Sequence, residues 1–134
     1  MDLSKIGIRI LVSDFPKCFD FYTQTLGFEV FWGERNGSFA AFKAPGSDTP
    51  CFSMFLSGNM EMYEGYTPSN GTGRVDQVVY TIPTDNVDED YMKLKDKGVC
   101  FIGKPQTIKD WYMRCVYFRD PEGNLFEICQ DGIE

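Results

Sequence analysis

The same order of predicted elements, β-α-β-β-β, occurs twice along this chain of 134 residues. In each half a strand and an N-capped helix precede three further strands. A chain of this length forms one domain core rather than two independent ones. Each helix can cover one face of a small sheet and leave the other face free. The repeat therefore predicts an α+β fold of two βαβββ modules, which form one curved mixed sheet around a shared cavity.

The first module is predicted to span residues 1–57. Its opening strand is the apolar run Ile6–Val12. Asp14 is a typical N-cap for the helix that follows, with Pro16 in the first turn, and Gly27 is expected to end that helix. The remaining strands are predicted at Phe28–Glu34, Ser38–Lys43 and Cys51–Leu56, and the turn Arg35-Asn36-Gly37 joins the first two.

The second module is predicted over residues 75–134, after a loop at 58–74 that is rich in Gly, Ser, Asn and Pro. It opens with a strand at Gln77–Ile82. Either Asp85 or Asn86 caps the helix, and Gly98 ends it. The last three strands are predicted at Val99–Gly103, Met113–Arg119 and Leu125–Gln130, and a turn at Asp120–Asn124 joins the final two. Both modules belong to a single domain, 1–134.

Composition excludes several classes of partner. The net charge is −7, whereas nucleic-acid binding requires Lys and Arg gathered on one face. No apolar run approaches the roughly 18 residues of a membrane span, and no targeting segment opens the chain. We therefore expect a cytoplasmic protein that binds neither nucleic acid nor membrane. The five cysteines lack CxxC spacing and are predicted to be reduced core residues: Cys18, Cys51, Cys100, Cys115 and Cys129.

The chain contains no histidine. Histidine is the commonest general base and the commonest metal ligand, and it activates the nucleophile in Ser-His and Cys-His pairs. Its absence excludes most hydrolase mechanisms.

Short motifs in both halves have a characteristic order and spacing. The first half contains Val12-Ser13-Asp14, Phe21-Tyr22 and Leu26-Gly27-Phe28; the second contains Lys97-Gly98-Val99 and the run from Phe118 to Glu127. Together they resemble the opening and closing signatures of the vicinal oxygen chelate superfamily, which includes glyoxalase I, extradiol dioxygenases and bleomycin-resistance proteins. The resemblance covers nearly the whole chain and implies the glyoxalase/bleomycin-resistance-like fold.

Enzymes of that superfamily place one metal ligand, usually His, Gln or Glu, on the first and last strand of each module. The corresponding positions here are Gly7, Gln77 and Glu127, with Ser53 as the fourth, or Phe55 if the register shifts by two. Only Gln77 and Glu127 suit a metal ion. Two protein ligands fall short of the three that catalytic zinc and non-heme iron sites use. The resemblance therefore implies no metal and no other cofactor.

Strand alternation predicts which polar side chains face the cavity. It places Arg9 there from the first strand, and Ser53 and Phe55 from the fourth. Glu127 is expected to face the cavity as well, with Arg9 as its cationic partner. The register of the superfamily adds Gln77, which gives a predicted polar cluster of Arg9, Gln77 and Glu127. Two simpler interpretations stay open: Gln77 as a polar edge residue and Arg9 as a solvent-exposed rim residue.

Two adjacent aromatic residues, Trp111 and Tyr112, follow the polar pair Lys109-Asp110. Aromatic side chains in a polar stretch are less needed by the core and can stack on a flat ligand. We therefore predict that Trp111 and Tyr112 line the mouth of the pocket. Trp32 is a further candidate for this surface.

The sequence favours a binding function without catalysis. We expect a homodimeric protein of the bleomycin-resistance-like branch that holds a small organic ligand of aromatic or drug-like character. The alternative is a metal-dependent lyase or dioxygenase of the glyoxalase type, which would need a ligand from outside the pattern, such as Glu29, Glu34 or Cys51. An interaction module with a vestigial pocket is a third hypothesis, because this fold hosts several functions.

Overall fold

A computed structural model of the chain describes residues 1–68 and 75–133. The chain divides into two compact units. The N-terminal unit is Ile8–Met60, and the C-terminal unit is Met1–Gly7 with Glu61–Glu134. The predicted α+β class, built from two βαβββ modules, is confirmed. In the described part of the chain, no helix has the length and hydrophobicity needed to cross a membrane.

The N-terminal unit follows the predicted order of elements closely. Its elements are β1 (Gly7–Val12), α1 (Phe15–Asp20), β2 (Glu29–Gly33), β3 (Phe39–Lys43) and β4 (Phe52–Leu56), and only the first residue of β1, Gly7, belongs to the C-terminal unit. The strands lie in the order β2-β3-β4-β1, with β1 parallel to β4 and the other pairs antiparallel. The Asp14 carboxylate accepts a hydrogen bond from the Lys17 N–H at 3.2 Å, so Asp14 is the N-cap of α1. A π-helical turn at Phe21–Thr25 follows α1, and Gly27, at φ +91°, ends the helical segment.

The face of this sheet that α1 covers is apolar. Phe15 of α1 packs there in one buried cluster with Ala40, Phe42 and Met54. Complete burial of a Phe or Met side chain contributes about 1.5–3 kcal/mol to stability, so this cluster holds α1 on the sheet. Alternation along the strands then leaves Arg9 and its neighbours on the opposite face.

The C-terminal unit repeats the arrangement. Its elements are β5 (Val78–Pro83), α2 (Val87–Asp96), β6 (Gln106–Ile108), β7 (Met113–Arg119) and β8 (Leu125–Asp131). The strands lie in the order β5-β8-β7-β6, with β5 parallel to β8. Asn86 rather than Asp85 is the N-cap of α2, because its side chain accepts from the Glu89 N–H at 3.1 Å. Gly98, at φ +90°, lies just beyond the end of α2 as predicted.

The apolar side of this second sheet packs against α2. The buried cluster consists of Val87, Val116 and Ile128, and partly buried rings of Tyr91, Phe101 and Phe118 pack around it. Because side chains alternate along β7 and β8, the neighbours of these residues, Tyr117 and Glu127, face the other side of the sheet.

The predicted strand at Val99–Gly103 is wrong. Phe101 makes only an isolated bridge to Phe118, and the strand that pairs with β7 is β6, further along the chain. A Cβ atom on Gly103 would lie 2.9 Å from the ring of Tyr63. The segment passes close against this ring instead of joining the sheet. Its apolar residues serve packing and not strand pairing.

The predicted loop at 58–74 is in part helical. Residues Ser57–Met62 form a 3₁₀ helix, and the side chain of Met60 is completely buried. A buried residue within a polar stretch gives little periodic signal, which is why the sequence predicts only a loop. Residues 69–74 of this predicted loop lie outside the described residues.

The prediction that all cysteines are core residues is correct only in part. Cys115 and Cys129 are buried, whereas Cys51 and Cys100 are exposed, and all five are free thiols. Cys51 precedes β4, and Cys100 lies in the irregular segment before β6. Neither residue lies within a strand, where alternation would turn every second side chain toward the core. Apolar neighbours in the sequence therefore do not indicate burial at these two positions.

Candidate functional site

The two modules can be aligned on the N-caps of their helices. Arg9 and Thr81 each stand five residues before the N-cap of their own module. In the sheets, Arg9 is the Cα partner of Ser53, and Thr81 is the Cα partner of Glu127. Alignment and register agree: Arg9 corresponds to Thr81, and Ser53 corresponds to Glu127. This correspondence favours Ser53 over Phe55 as the fourth predicted position.

Arg9 lies among aromatic rings in the N-terminal unit. The residue is only 8% exposed, and its guanidinium carbon is 5.9 Å from the ring centroids of both Phe39 and Phe55. Contacts of this kind between a cation and an aromatic face contribute about 0.5–2 kcal/mol each, depending on how far water is excluded. The Phe39 ring in turn contacts the indole of Trp32, with centroids 5.6 Å apart. We call Arg9, Trp32, Phe39, Ser53 and Phe55 the aromatic face.

A β-bulge in β2 places Trp32 on this face. Val30 pairs with Phe42, which belongs to the buried α1 side, but Trp32 pairs with Ala41, and the register shifts between the two. In a regular strand, residues two apart share a side. The extra residue, Phe31, rotates Trp32 to the side of Arg9. The indole is 61% exposed at the end of the ring series.

Glu127 lies in a closed environment in the C-terminal unit. The residue is completely buried, and its carboxylate accepts a short hydrogen bond from the Tyr117 hydroxyl. Tyr63 packs edge-on against Tyr117, with centroids 4.8 Å apart, and donates its own hydroxyl hydrogen to the Lys104 carbonyl at 2.8 Å. Burial raises the pKa of Tyr63 well above its usual range, so this hydroxyl stays protonated. Tyr117 thus bonds the carboxylate directly, and Tyr63 packs against Tyr117.

Gly7 is the residue predicted at the first metal-ligand position. A Cβ atom added to Gly7 would lie 2.7 Å from the Thr81 hydroxyl oxygen, closer than real Cβ contacts allow. The space for a side chain at position 7 is therefore filled by Thr81. Counted from the N-caps, the corresponding residue of the second module is Val79, whose apolar side chain is fully buried. Neither position offers a donor atom to a metal.

Gln77 precedes β5 and is exposed. The sequence-based assignment of Gln77 counted five residues back from Ile82. In the structure β5 ends at Pro83, and the connection from β5 to α2 is longer than the one from β1 to α1. Anchored on the N-cap instead, the count reaches Val79. Just before Gln77, the Asp76 carboxylate forms a two-point ion pair with Arg119 at 2.8 and 2.9 Å. This pair fixes the start of the strand, and a ligand contact by Gln77 stays a prediction.

Trp111 and Tyr112 lie at the end of a 3₁₀ turn, Lys109–Trp111, that leads into β7. Tyr112 adopts a left-handed conformation, at φ 53°, and its side chain is 66% exposed. Its carbonyl accepts hydrogen bonds from the N–H groups of Gly132 and Ile133 at 2.9 and 3.2 Å. The backbone of Tyr112 thus anchors the chain after β8. The predicted role of the two rings at a pocket mouth stays a prediction.

Sequence reasoning missed three residues that shape these environments: Phe39, Thr81 and Tyr117. Each is recognised only through its partner on a neighbouring strand. The signal that was available is strand alternation, which puts Tyr117 on the side opposite the apolar Val116 and Phe118. It does not reveal which residue of β8 Tyr117 contacts.

The described residues do not provide a metal-binding group. Within 1–68 and 75–133, no three or more His, Cys, Asp or Glu side chains come together in a way that could hold a metal ion. The predicted positions are Gly7, Ser53, Gln77 and Glu127, with Val79 as the residue that the N-cap count gives in place of Gln77. Of these, only Glu127 carries a carboxylate. A catalytic zinc or iron site requires more ligands than this set provides.

Comparison with known proteins gives consistent matches over nearly the whole chain. The family model described as Glyoxalase/Bleomycin resistance protein/Dioxygenase superfamily matches residues 6–128. The uncharacterized protein YraH of Bacillus subtilis (strain 168) is 31% identical over 128 residues, which cover 92% of this chain and 94% of that protein.

Solved structures show the same fold. A glyoxalase/bleomycin resistance protein/dioxygenase superfamily member from Vibrio splendidus 12B01 matches with a TM-score of 0.59 and 16% identity, over 95% of this chain and 98% of that one. A structure described as NAD-dependent benzaldehyde dehydrogenase from Legionella pneumophila matches with a TM-score of 0.68 and 16% identity, over 93% and 97% of the two chains. At such identities the likeness concerns the fold alone.

Proposed function

This chain belongs to the glyoxalase/bleomycin resistance protein/dioxygenase superfamily, and from that premise we propose that it binds a small organic ligand without catalysing a reaction. The observation that carries the proposal is the contact at Gly7. The position of the first metal ligand not only lacks a side chain but has its space filled by the Thr81 hydroxyl. A metal-dependent enzyme of this superfamily would need that space.

The other three positions support the same proposal. At one of them, Val79 from the N-cap count has no donor atom, and Gln77 from the strand count offers a single amide oxygen. The hydroxyl of Ser53 is a poor ligand for a divalent ion unless it is deprotonated. Glu127 is the one carboxylate of the set, and it already accepts a hydrogen bond from Tyr117. The residues therefore do not fit the metal on which lyase and dioxygenase chemistry in this superfamily depends.

A binding function needs less from the protein. It requires apolar surface with a few polar groups that orient the ligand. The aromatic face supplies three rings, one buried cation and one hydroxyl. The proposal also includes the contributions predicted for Gln77, Trp111, Tyr112 and Glu127 and assembly as a homodimer.

Metal analysis of the full chain, purified without chelator, tests the proposal against the glyoxalase-type alternative. We expect well under one equivalent of Zn, Ni, Fe or Mn per chain, and we expect EDTA to leave the melting temperature unchanged, because no metal binding is coupled to folding. Native mass spectrometry of the same sample reports the oligomeric state and any retained organic ligand. One bound metal per chain together with metal-dependent turnover would favour the alternative.

A further inference from the structure

We infer that the ligand is a flat aromatic molecule with a carboxylate group, and that the aromatic face of the N-terminal unit recognises it. This inference rests on the proposed binding function and names the class of compound. Two properties of the face carry it: a buried cation and a series of rings that ends in an exposed indole.

The cation selects the charge of the ligand. Arg9 stays protonated at every relevant pH, and its planar fork of five N–H donors matches a carboxylate. Five donors are more than one protein partner can use, so a ligand carboxylate can be accommodated beside such a partner. Ser53, the Cα partner of Arg9, contributes one further O–H donor from a half-buried position on the same face.

The surroundings of Arg9 strengthen such a bond. Its guanidinium lies 5.9 Å from two phenyl rings and is largely removed from water. Charge-assisted hydrogen bonds are stronger where the local dielectric constant is low.

The rings select the shape of the ligand. Phe55 and Phe39 lie 6.2 Å apart, and Phe39 and Trp32 lie 5.6 Å apart, so the ring series leads outward from the cation. The indole of Trp32 is mostly exposed and adds little to the core of its unit. The bulge in β2 nevertheless turns it to the side of Arg9. A ligand whose carboxylate reaches Arg9 would lay its aromatic body over Phe39 and Trp32.

Isothermal titration calorimetry with three matched compounds tests the inference on the full chain. The probes are 2-naphthoate, its neutral analogue 2-naphthamide, and octanoate, which carries the charge without the rings. We expect 2-naphthoate to bind about ten- to hundredfold more tightly than 2-naphthamide, because the amide cannot make the charge-assisted bonds. Octanoate should also bind more weakly than 2-naphthoate.

Variants assign the two properties to residues. Arg9→Lys keeps the charge but loses the fork, and it should reduce the preference for 2-naphthoate over 2-naphthamide. Trp32→Ala should weaken the binding of both naphthyl compounds and leave octanoate unchanged. The control is Phe31→Ala, which removes the exposed aromatic neighbour at the bulge and should leave all three affinities unchanged.

The outcomes separate the inference from the proposed function. If 2-naphthamide binds as tightly as 2-naphthoate, the protein is a ligand-binding protein but the carboxylate assignment is wrong. If Phe31→Ala weakens binding and Trp32→Ala does not, the aromatic face is misplaced. If a broad set of aromatic compounds, neutral and charged, shows no binding, the proposed function fails together with the inference. Should Arg9→Lys not fold, the comparison of the two naphthyl compounds on the unmodified protein still decides.

Discussion

The strand pair Arg9–Ser53 in the N-terminal unit and the strand pair Thr81–Glu127 in the C-terminal unit occupy corresponding places and carry opposite chemistry. Both lie between parallel strands and at the same distance from a helix N-cap. The first pair presents a cation among phenyl rings, and the second a carboxylate beside buried tyrosines. The backbone repeat has preserved positions and register, but not the chemical character of the side chains. A role known for a residue of the superfamily can therefore be assigned to the corresponding residue of this chain only after the two side chains are compared.

The largest expected effect tests whether the two charges depend on each other. The sequence-based hypothesis that pairs Arg9 with Glu127 stays a prediction. If it is correct, Arg9→Met lowers the free energy of unfolding by about 3–5 kcal/mol near neutral pH, because a buried carboxylate is left without its cation. Adding Glu127→Gln should recover much of the loss. Urea denaturation of the single and double variants measures the coupling.

A surface variant controls for the loss of an arginine as such. Arg114 pairs with Asp88 on the outside of the C-terminal unit, and Arg114→Met should cost no more than about 1 kcal/mol. Simple additivity of Arg9→Met and Glu127→Gln would show that the two charges are independent and that the hypothesis is wrong.

The second prediction concerns the Tyr117 hydroxyl, which bonds Glu127 and has no counterpart beside Ser53. Tyr117 is the Cα partner of Glu127, whereas alanine, Ala41, is the partner of Ser53. Tyr117→Phe should lower the free energy of unfolding by about 1.5–3 kcal/mol, because a buried carboxylate loses a donor. Tyr80→Phe is the matched control on the α2 side of the sheet and should change stability by less than about 0.5 kcal/mol. Equal effects of the two variants would mean that the hydroxyl contributes nothing specific.

The third prediction tests whether position 7 can hold a side chain. Gly7→Ala should destabilise the protein by about 1–3 kcal/mol, because the added Cβ overlaps the Thr81 hydroxyl. Combining Gly7→Ala with Thr81→Ala should restore part of the loss. Gly58→Ala is the control, since no atom lies within 4 Å of a Cβ added there. If thermal denaturation shows equal losses of stability in Gly58→Ala and Gly7→Ala, the steric explanation is wrong.

The smallest expected effect concerns one partly exposed ion pair in each unit. Arg114 donates hydrogen bonds to Asp88, and Arg35 to Asp20, and in each unit these bonds hold the pKa of the aspartate below its usual value. A lowered pKa in the folded protein contributes stability above the ordinary aspartate pKa, about 3.9, which is lost as the pH falls through the folded value.

The Asp88 pair gives the measurement. Asp88→Asn should be less stable than the unmodified protein by at most about 1 kcal/mol at pH 6, since the pair is largely exposed. The difference should shrink toward zero near pH 2. Urea melts across this range check the sign, and a difference that grows as the pH falls would contradict the assignment. Asp20→Asn should show the same direction.

Local signals made most of the fold predictable. N-caps are recognised from one side chain and the turn that follows. Asp14 was found in this way, and Asn86 was one of two candidates beside Asp85. The glycines that end the helices, Gly27 and Gly98, were predictable because both have a positive φ, a backbone conformation that residues with side chains rarely adopt. The strand faces followed from alternation, which correctly separated Arg9 from the apolar core.

Non-local pairing set the limit of the prediction. Residues Val99–Gly103 have the composition of a strand, but the sheet pairs with β6 instead. The bulge at Phe31, which turns Trp32 to its side of the sheet, exists only through the register with β3. The count from the strand end selects Gln77 and the count from the N-cap selects Val79, because the length of the connection after a strand depends on hydrogen-bonded partners. Each miss concerns a relation between segments that are distant in sequence.

The contact between Gly7 and Thr81 also constrains the evolutionary history open to this protein. A lineage that acquired a histidine at position 7 would first pass through a chain in which that side chain overlaps Thr81. The reverse order, with a smaller residue at position 81 first, removes packing without any gain in function. Neither order is favoured by selection for metal binding at its first step. A side chain at position 7 thus requires a compensating change at position 81, so a single substitution does not suffice to introduce one.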